Sequence, residues 1–177
     1  MQNSNQLARF EQAVLPHLDA AYNLARWLTR NDHDAQDVVQ ESYLRALKFF
    51  GGFRGGDGRA WLLKIVRHTC YDWLRRNRRY EPLTEFDEEP RSVESAAPDP
   101  EALLLRAAES RSLRQALEEL PVEFREVVIL RELEELSYKE IADIANLPLG
   151  TVMSRLARAR QRLQQALTEC ARKEAHL

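Results

Sequence analysis

Three groups of side chains in this sequence have the types and spacing for chemistry. Asp34, Asp37 and Glu41 recur at spacings of 3 and 4, with Gln40 beside them, which puts them on one face of a helix. No glycine-rich metal loop or histidine cluster accompanies them, so they suit neither a metal nor acid–base work. They form either a solvated acidic face or a docking surface for a basic partner. In the second group, Trp61, Tyr71, Trp73 and Tyr80 interleave with Lys64, Arg67, Arg75, Arg76, Arg78 and Arg79. Rings can stack on exposed bases while cations follow phosphates, the pairing that single-stranded nucleic acid needs. A structural role competes: Trp61 and Trp73 each extend an apolar stripe, and the run from Arg75 to Arg79 suits a helix C-terminus. In the third group, Thr151, Ser154, Arg155 and Arg158 open a basic segment. A helix laid in the major groove offers such N-terminal side chains to base edges. Lys139, Arg160 and Arg162 fit phosphates instead, which position without reading sequence. The scattered His17, His33, His68 and His176 and the separate Cys70 and Cys170 make no triad, CxxC or metal set, so no catalysis, metal or cofactor is expected.

The elements that must carry these groups read as helices throughout, because no strand-like alternation persists. Phe10, Val14, Leu18, Ala21, Ala25 and Leu28 predict a first core-facing helix. Asn31-Asp32 offers an N-cap oxygen for a second helix from Asp34 to Phe50, with Val39, Tyr43, Ala46 and Phe50 inward. Gly51 to Gly58 holds 5 of the 6 glycines and breaks the chain. A third helix from Arg59 to Arg79 turns Leu62, Val66, Thr69 and Trp73 to one side. Glu81 to Pro100 is acidic, carries 4 of the 7 prolines and reads as a linker. Helix resumes from Pro100 to Leu120, and Pro121 suits the first turn of the next one. Ser137-Tyr-Lys-Glu140 is a capping box for a further helix, which stops near Asn146 to Gly150. Thr151 is then the expected cap of a last helix reaching Ala171. Two short-linked helices with the second one basic outline a helix-turn-helix. Ile141, Ala142, Ala145, Leu147, Val152 and Leu156 are apolar where the two would meet, and Gly150 supplies the turn's freedom. The fold class is therefore all-α: an N-terminal helical domain over 1–80, an acidic linker over 81–100 and a helix-turn-helix domain over 101–177.

Composition sets outer limits. The chain has 177 residues, 44% of them hydrophobic, enough for a core and against wholesale disorder. Apolar runs are too short to span a membrane and the N-terminus lacks a secretory layout, so no membrane insertion and a reducing cytoplasmic setting are expected. A net charge of −2 would argue against nucleic acid, yet it averages unlike parts: +5 over 1–80, −7 over 81–120, −4 over 121–150 and +4 over 151–177. Two basic surfaces are separated by acidic ones.

Taken together, these segments resemble a known family. Asp34-Ala-Gln-Asp37-Val-Val-Gln40-Glu41-Ser-Tyr-Leu-Arg45-Ala-Leu resembles the polymerase-binding helix of bacterial RNA polymerase sigma factors. Phe53-Arg54, Ala60 to Arg67 and Asp72-Trp-Leu-Arg75-Arg76 resemble their promoter-melting segment. Leu120-Pro121, Leu136 to Ala142 and Gly150 to Arg160 resemble their promoter-reading domain. With only these two domains, the chain is similar to the extracytoplasmic-function (ECF) group.

The resemblance implies a task for each surface. Asp34, Asp37, Gln40, Glu41 and Arg45 would dock on core RNA polymerase. Trp61, Lys64, Arg67, His68, Tyr71, Arg75 and Arg76 would open and hold the minus-ten element as single strands. The last helix would read the minus-thirty-five element as duplex through Lys139, Thr151, Ser154, Arg155, Arg158, Arg160 and Arg162. The linker would thread toward the polymerase interior, and an anti-sigma factor would hold the inactive protein. His68 departs from the pattern, since relatives often carry Asn there. A self-sufficient helix-turn-helix regulator is the rival reading, and the helix from Asp37 to Phe50 speaks against it.

Overall fold

A computed structural model of the chain describes residues 1–84, 87 and 111–176, and every regular element among them is helical. The body of the expected linker and the helix expected to start at Pro100 fall outside them, up to residue 110. Contacts gather the chain into two compact units, Met1–Tyr80 with Lys139–Leu147, and Glu81–Tyr138 with Pro148–Leu177.

In the first unit the expected opening helix is two. Helix α1 (Gln2–Val14) gives way to a tight turn at Leu15–His17 before α2 (Leu18–Thr29). Pro16 explains the break: it has no N–H to give and its ring crowds the preceding turn. Leu18, placed inward by the spacing, is only half-buried. Asn31 caps α3 (Asp32–Phe49) as expected, its side chain accepting from the His33 and Asp34 amides at 2.9 and 3.0 Å.

The inward face of α3 differs from the expected one. Ala35, Val38, Ser42 and Ala46 are buried, while Val39 and Tyr43 sit at its margin. Ser42 can occupy a core position because its hydroxyl donates to the Val38 carbonyl at 2.7 Å. Beyond Phe50–Gly52, Asp57 caps α4 (Gly58–Arg76) by accepting from the Arg59 and Ala60 amides. Gly58, Leu62, Leu63, Val66, Thr69, Cys70, Tyr71 and Leu74 are its buried residues, and Trp73 is half-buried rather than core. Helices α2, α3 and α4 pack mutually around Phe10, Leu24, Leu28, Leu62 and Leu63.

The second unit is built on α5 (Arg111–Glu119), α6 (Val122–Val128) and α8 (Leu149–Ala175), with α8 packed on both others. Pro121 stands just before α6, and the buried Arg125 guanidinium donates to the Glu118 and Leu120 carbonyls, pinning the α5–α6 corner. A wide turn at Ile129–Leu133 extends α6, with the Glu134 amide bonded back five residues to Ile129. Helix α7 (Tyr138–Ala145), whose residues from Lys139 onward gather with the first unit, starts directly after Ser137, where the capping box predicts.

Two details between α7 and α8 correct the sequence reading. Asn146, not Gly150, takes the left-handed backbone angle, with φ 53°. The Leu147 amide bonds to the Ala142 carbonyl and the Asn146 amide to Asp143, which is a Schellman termination. Asn tolerates this conformation, so no glycine is needed. Thr151 is not the cap either: α8 begins at Leu149, and the Thr151 and Val152 amides bond to the Pro148 carbonyl.

Candidate nucleic-acid and docking surfaces

The acidic face of α3 is divided between outward and paired residues. Asp37 and Gln40 are exposed, and the Asp37 carboxylate lies 4.0 Å from His33 one turn earlier. Asp34, Glu41 and Arg45 instead engage α4. Arg45 bridges Glu41 at 2.6 Å and Asp72 at 2.9 Å; Arg76 reaches Glu41 at 3.1 Å and Arg79 approaches Asp34 at 3.7 Å. Burial works against the Arg45 charge, but hydrogen bonds to Asp72 and Glu41 outweigh it and raise its pKa. Asp72 is the partner that spacing could not assign, because the pairing links residues 27 apart in the chain. The same helix exposes Leu44, Leu47 and Phe49, apolar surface that the spacing of charges does not reveal. Apolar side chains on an acidic rim suit a protein partner better than solvent.

On α4 the cations and rings form a graded surface. Tyr71 is buried, with its ring against Tyr80 at 5.7 Å, and the Arg67 and Arg75 guanidinium groups lie over it at 4.5 and 5.8 Å. It serves as a floor that orients two cations rather than as an open stacking platform. Arg75 also covers Tyr80, and Arg79 covers Trp73. Trp61 is half-buried beside Phe53 and Phe50, at 5.1 and 6.0 Å. Lys64, His68, Arg75 and Arg76 are exposed. Arg78 takes φ 54° in a second Schellman turn, closed by Arg79 to Leu74 and Arg78 to Arg75 bonds.

Helix α8 separates two faces cleanly. Val152, Leu156, Ala159 and Leu163 are buried, while Thr151, Ser154, Arg155 and Arg158 are half-exposed along the flank of that stripe. Lys139 on α7 is exposed. Arg160 and Arg162 are committed within the unit. Arg160 bonds Glu132 at 2.6 Å; burial opposes its charge, but the Glu132 and Tyr138 bonds raise its pKa. Arg162 lies over the Phe124 ring and pairs with Asp87. Neither Glu132 nor Asp87 was predictable as a partner from spacing. Among the described residues no His, Cys, Asp or Glu group could hold a metal, and no helix is long and apolar enough to cross a membrane.

Residues 13–80 match the family described as Sigma-70 region 2, and residues 110–163 match Sigma-70, region 4. The RNA polymerase sigma factor YlaC of Bacillus subtilis is 36% identical over 155 residues, covering 85% of this chain and 89% of YlaC. The chain belongs to the sigma-70 family, in its ECF group. The ECF RNA polymerase sigma factor SigE of Mycolicibacterium smegmatis is 34% identical over 160 residues, covering 90% of this sigma factor. The match spans only 62% of SigE, which is the longer protein. Among solved structures, the sigma factor RpoE of Bartonella quintana, in complex with the anti-sigma factor NepR, superimposes with TM-score 0.68 at 27% identity, covering 90% of this chain and 97% of that one. CnrH, in complex with the cytosolic domain of CnrY, gives TM-score 0.62 at 26% identity, covering 90% and 88%.

Proposed function

We propose that this sigma factor binds core RNA polymerase through α3, holds the melted minus-ten strand on α4 and reads the minus-thirty-five duplex with α8. It directs polymerase to promoters and has no catalysis of its own. One observation carries the reading. The half-exposed face of α8 presents Thr151, Ser154, Arg155 and Arg158 beside a buried apolar stripe, in the order that major-groove contact uses. Thr151, Ser154, Arg155 and Arg158 touch base edges, with Lys139 and Arg162 toward phosphates and Arg160 held on Glu132. On α4, Lys64, Arg67, His68, Arg75 and Arg76 follow the strand, with Trp61 and Tyr71 shaping the surface beneath. Asp37 and Gln40 meet the polymerase directly, while Asp34, Glu41 and Arg45 hold α3 against α4. The N-terminal domain spans 1–80, the linker 81–100 and the C-terminal domain 101–177. The protein works in the cytoplasm, and an anti-sigma factor restrains it, as the complexes of RpoE and CnrH suggest by analogy.

Co-purification with core polymerase tests the docking surface. Asp37→Lys, at an exposed site, is expected to abolish association while the circular dichroism melt is unchanged. Normal association of that variant would remove α3 as the docking face.

A further inference from the structure

Arg162 belongs to a row that the reading of α8 leaves unfinished. Thr151, Arg155, Arg158 and Arg162 follow one another at spacings of 4, 3 and 4, so they share one helix face. The row runs about 16 Å along the axis at 1.5 Å per residue. Its last member is occupied. The Asp87 carboxylate pairs with the Arg162 guanidinium, and the two side chains are 18% and 35% exposed.

Asp87 is held there by a small built turn. The Thr84 amide and hydroxyl both donate to the second Asp87 oxygen, at 2.9 and 2.8 Å, and the Asp87 amide returns a bond to the Thr84 carbonyl at 3.0 Å. The carboxylate is thus fully subscribed, with one oxygen on its own turn and the other on α8. Hydrogen bonds from Thr84 and then from Arg162 bring its pKa down to about 2. A carboxylate gripping an arginine at the end of a cationic row stands where a phosphate would stand.

We propose that Asp87 is an internal competitor for DNA phosphate: the Thr84–Asp87 turn clasps Arg162 in the free protein, and duplex binding along α8 displaces it. The clasp rests on the duplex reading of α8 given above. It makes the free protein a weaker DNA binder than its basic helix would suggest. It also ties release of the Asp87 carboxylate to promoter engagement, since phosphate and carboxylate cannot share the Arg162 fork in the same way.

Fluorescence anisotropy of the full chain with a short duplex, at two salt concentrations, tests this. Asp87→Asn is expected to tighten binding about three- to tenfold and to steepen the salt dependence by about one phosphate contact. The gain disappears in an Arg162→Ala background. Thr84→Val, which loosens the turn without touching Arg162, moves affinity the same way by less. Glu81→Gln removes the same unit of charge from the same stretch and leaves affinity unchanged. If Asp87→Asn binds like the parent or like Glu81→Gln, or keeps its gain without Arg162, the clasp is overturned. Arg158→Ala separates the two layers. Weak binding by that variant alongside an inert Asp87→Asn removes the clasp alone. Undiminished binding by Arg158→Ala removes the duplex reading and the competition with it.

Discussion

Replacing Gly58 with alanine is the sharpest test of how the first unit is closed. Gly58 opens α4, and a Cβ built there would stand 2.3 Å from the Ala13 carbonyl oxygen and 3.2 Å from its carbon. Both atoms are backbone, so no rotamer change can yield; relief requires the end of α1 and the Leu15–His17 turn to move away from α4. A methyl group forced into packed structure costs about 1–3 kcal/mol. Alanine also restricts the unfolded chain, which returns roughly 0.4–1 kcal/mol. The net expectation is a loss of about 1–2 kcal/mol, or a midpoint lower by roughly 5–15 °C for a unit of this size. All 3 tryptophans, Trp27, Trp61 and Trp73, lie within residues 1–80, so tryptophan fluorescence during urea unfolding reports this unit selectively. A Gly58→Ala protein as stable as the parent, or more so, would falsify the close approach of α1 to α4.

Three further outcomes follow from named contacts. Arg45→Met is expected to cost about 1–2 kcal/mol in the same urea assay, since it leaves Asp72 and Glu41 facing each other with less compensation; paired with Asp72→Asn the loss should be less than additive. Asp87 should titrate with a midpoint near 2 by carboxyl NMR, against an ordinary value of 3.8. Because its folded pKa is lowered, its stabilisation of ~2 kcal/mol is present above about pH 4 and is lost as pH falls through 2; Arg162→Met should move the midpoint up, and an unmoved midpoint would count against the pair. Arg155→Ala should weaken binding to the minus-thirty-five duplex by about 1–3 kcal/mol, whereas an equal loss on scrambled DNA would reassign it to phosphate.

Much of this architecture is legible in the sequence, and the failures have physical causes. Helix period, the Asn31 cap, the Ser137 start and the glycine break all act within a few residues, so local reading finds them. The phase of α3 is misread because Ser42 is a core residue whose hydroxyl is satisfied one turn back; a polar letter hid an inward position. Thr29 and Thr69 use the same device, with bonds to Ala25 and Ile65 at 2.8 Å. Pro16 breaks the first helix although the apolar spacing runs straight through it. Gly150 attracts the turn assignment, yet Asn146 performs it. The acidic and basic groups were legible as surfaces, but not their mutual pairing. Arg45 with Asp72, Arg160 with Glu132 and Arg162 with Asp87 join residues 27, 28 and 75 apart, distances at which one sequence carries no pairing signal.

Run-off transcription with purified core polymerase tests the central claim most directly. The account predicts that adding this chain alone starts transcripts from a subset of genomic fragments sharing two upstream elements at fixed spacing, and that the Asp37→Lys variant starts none. Transcripts that appear only when another sigma factor is supplied would contradict it.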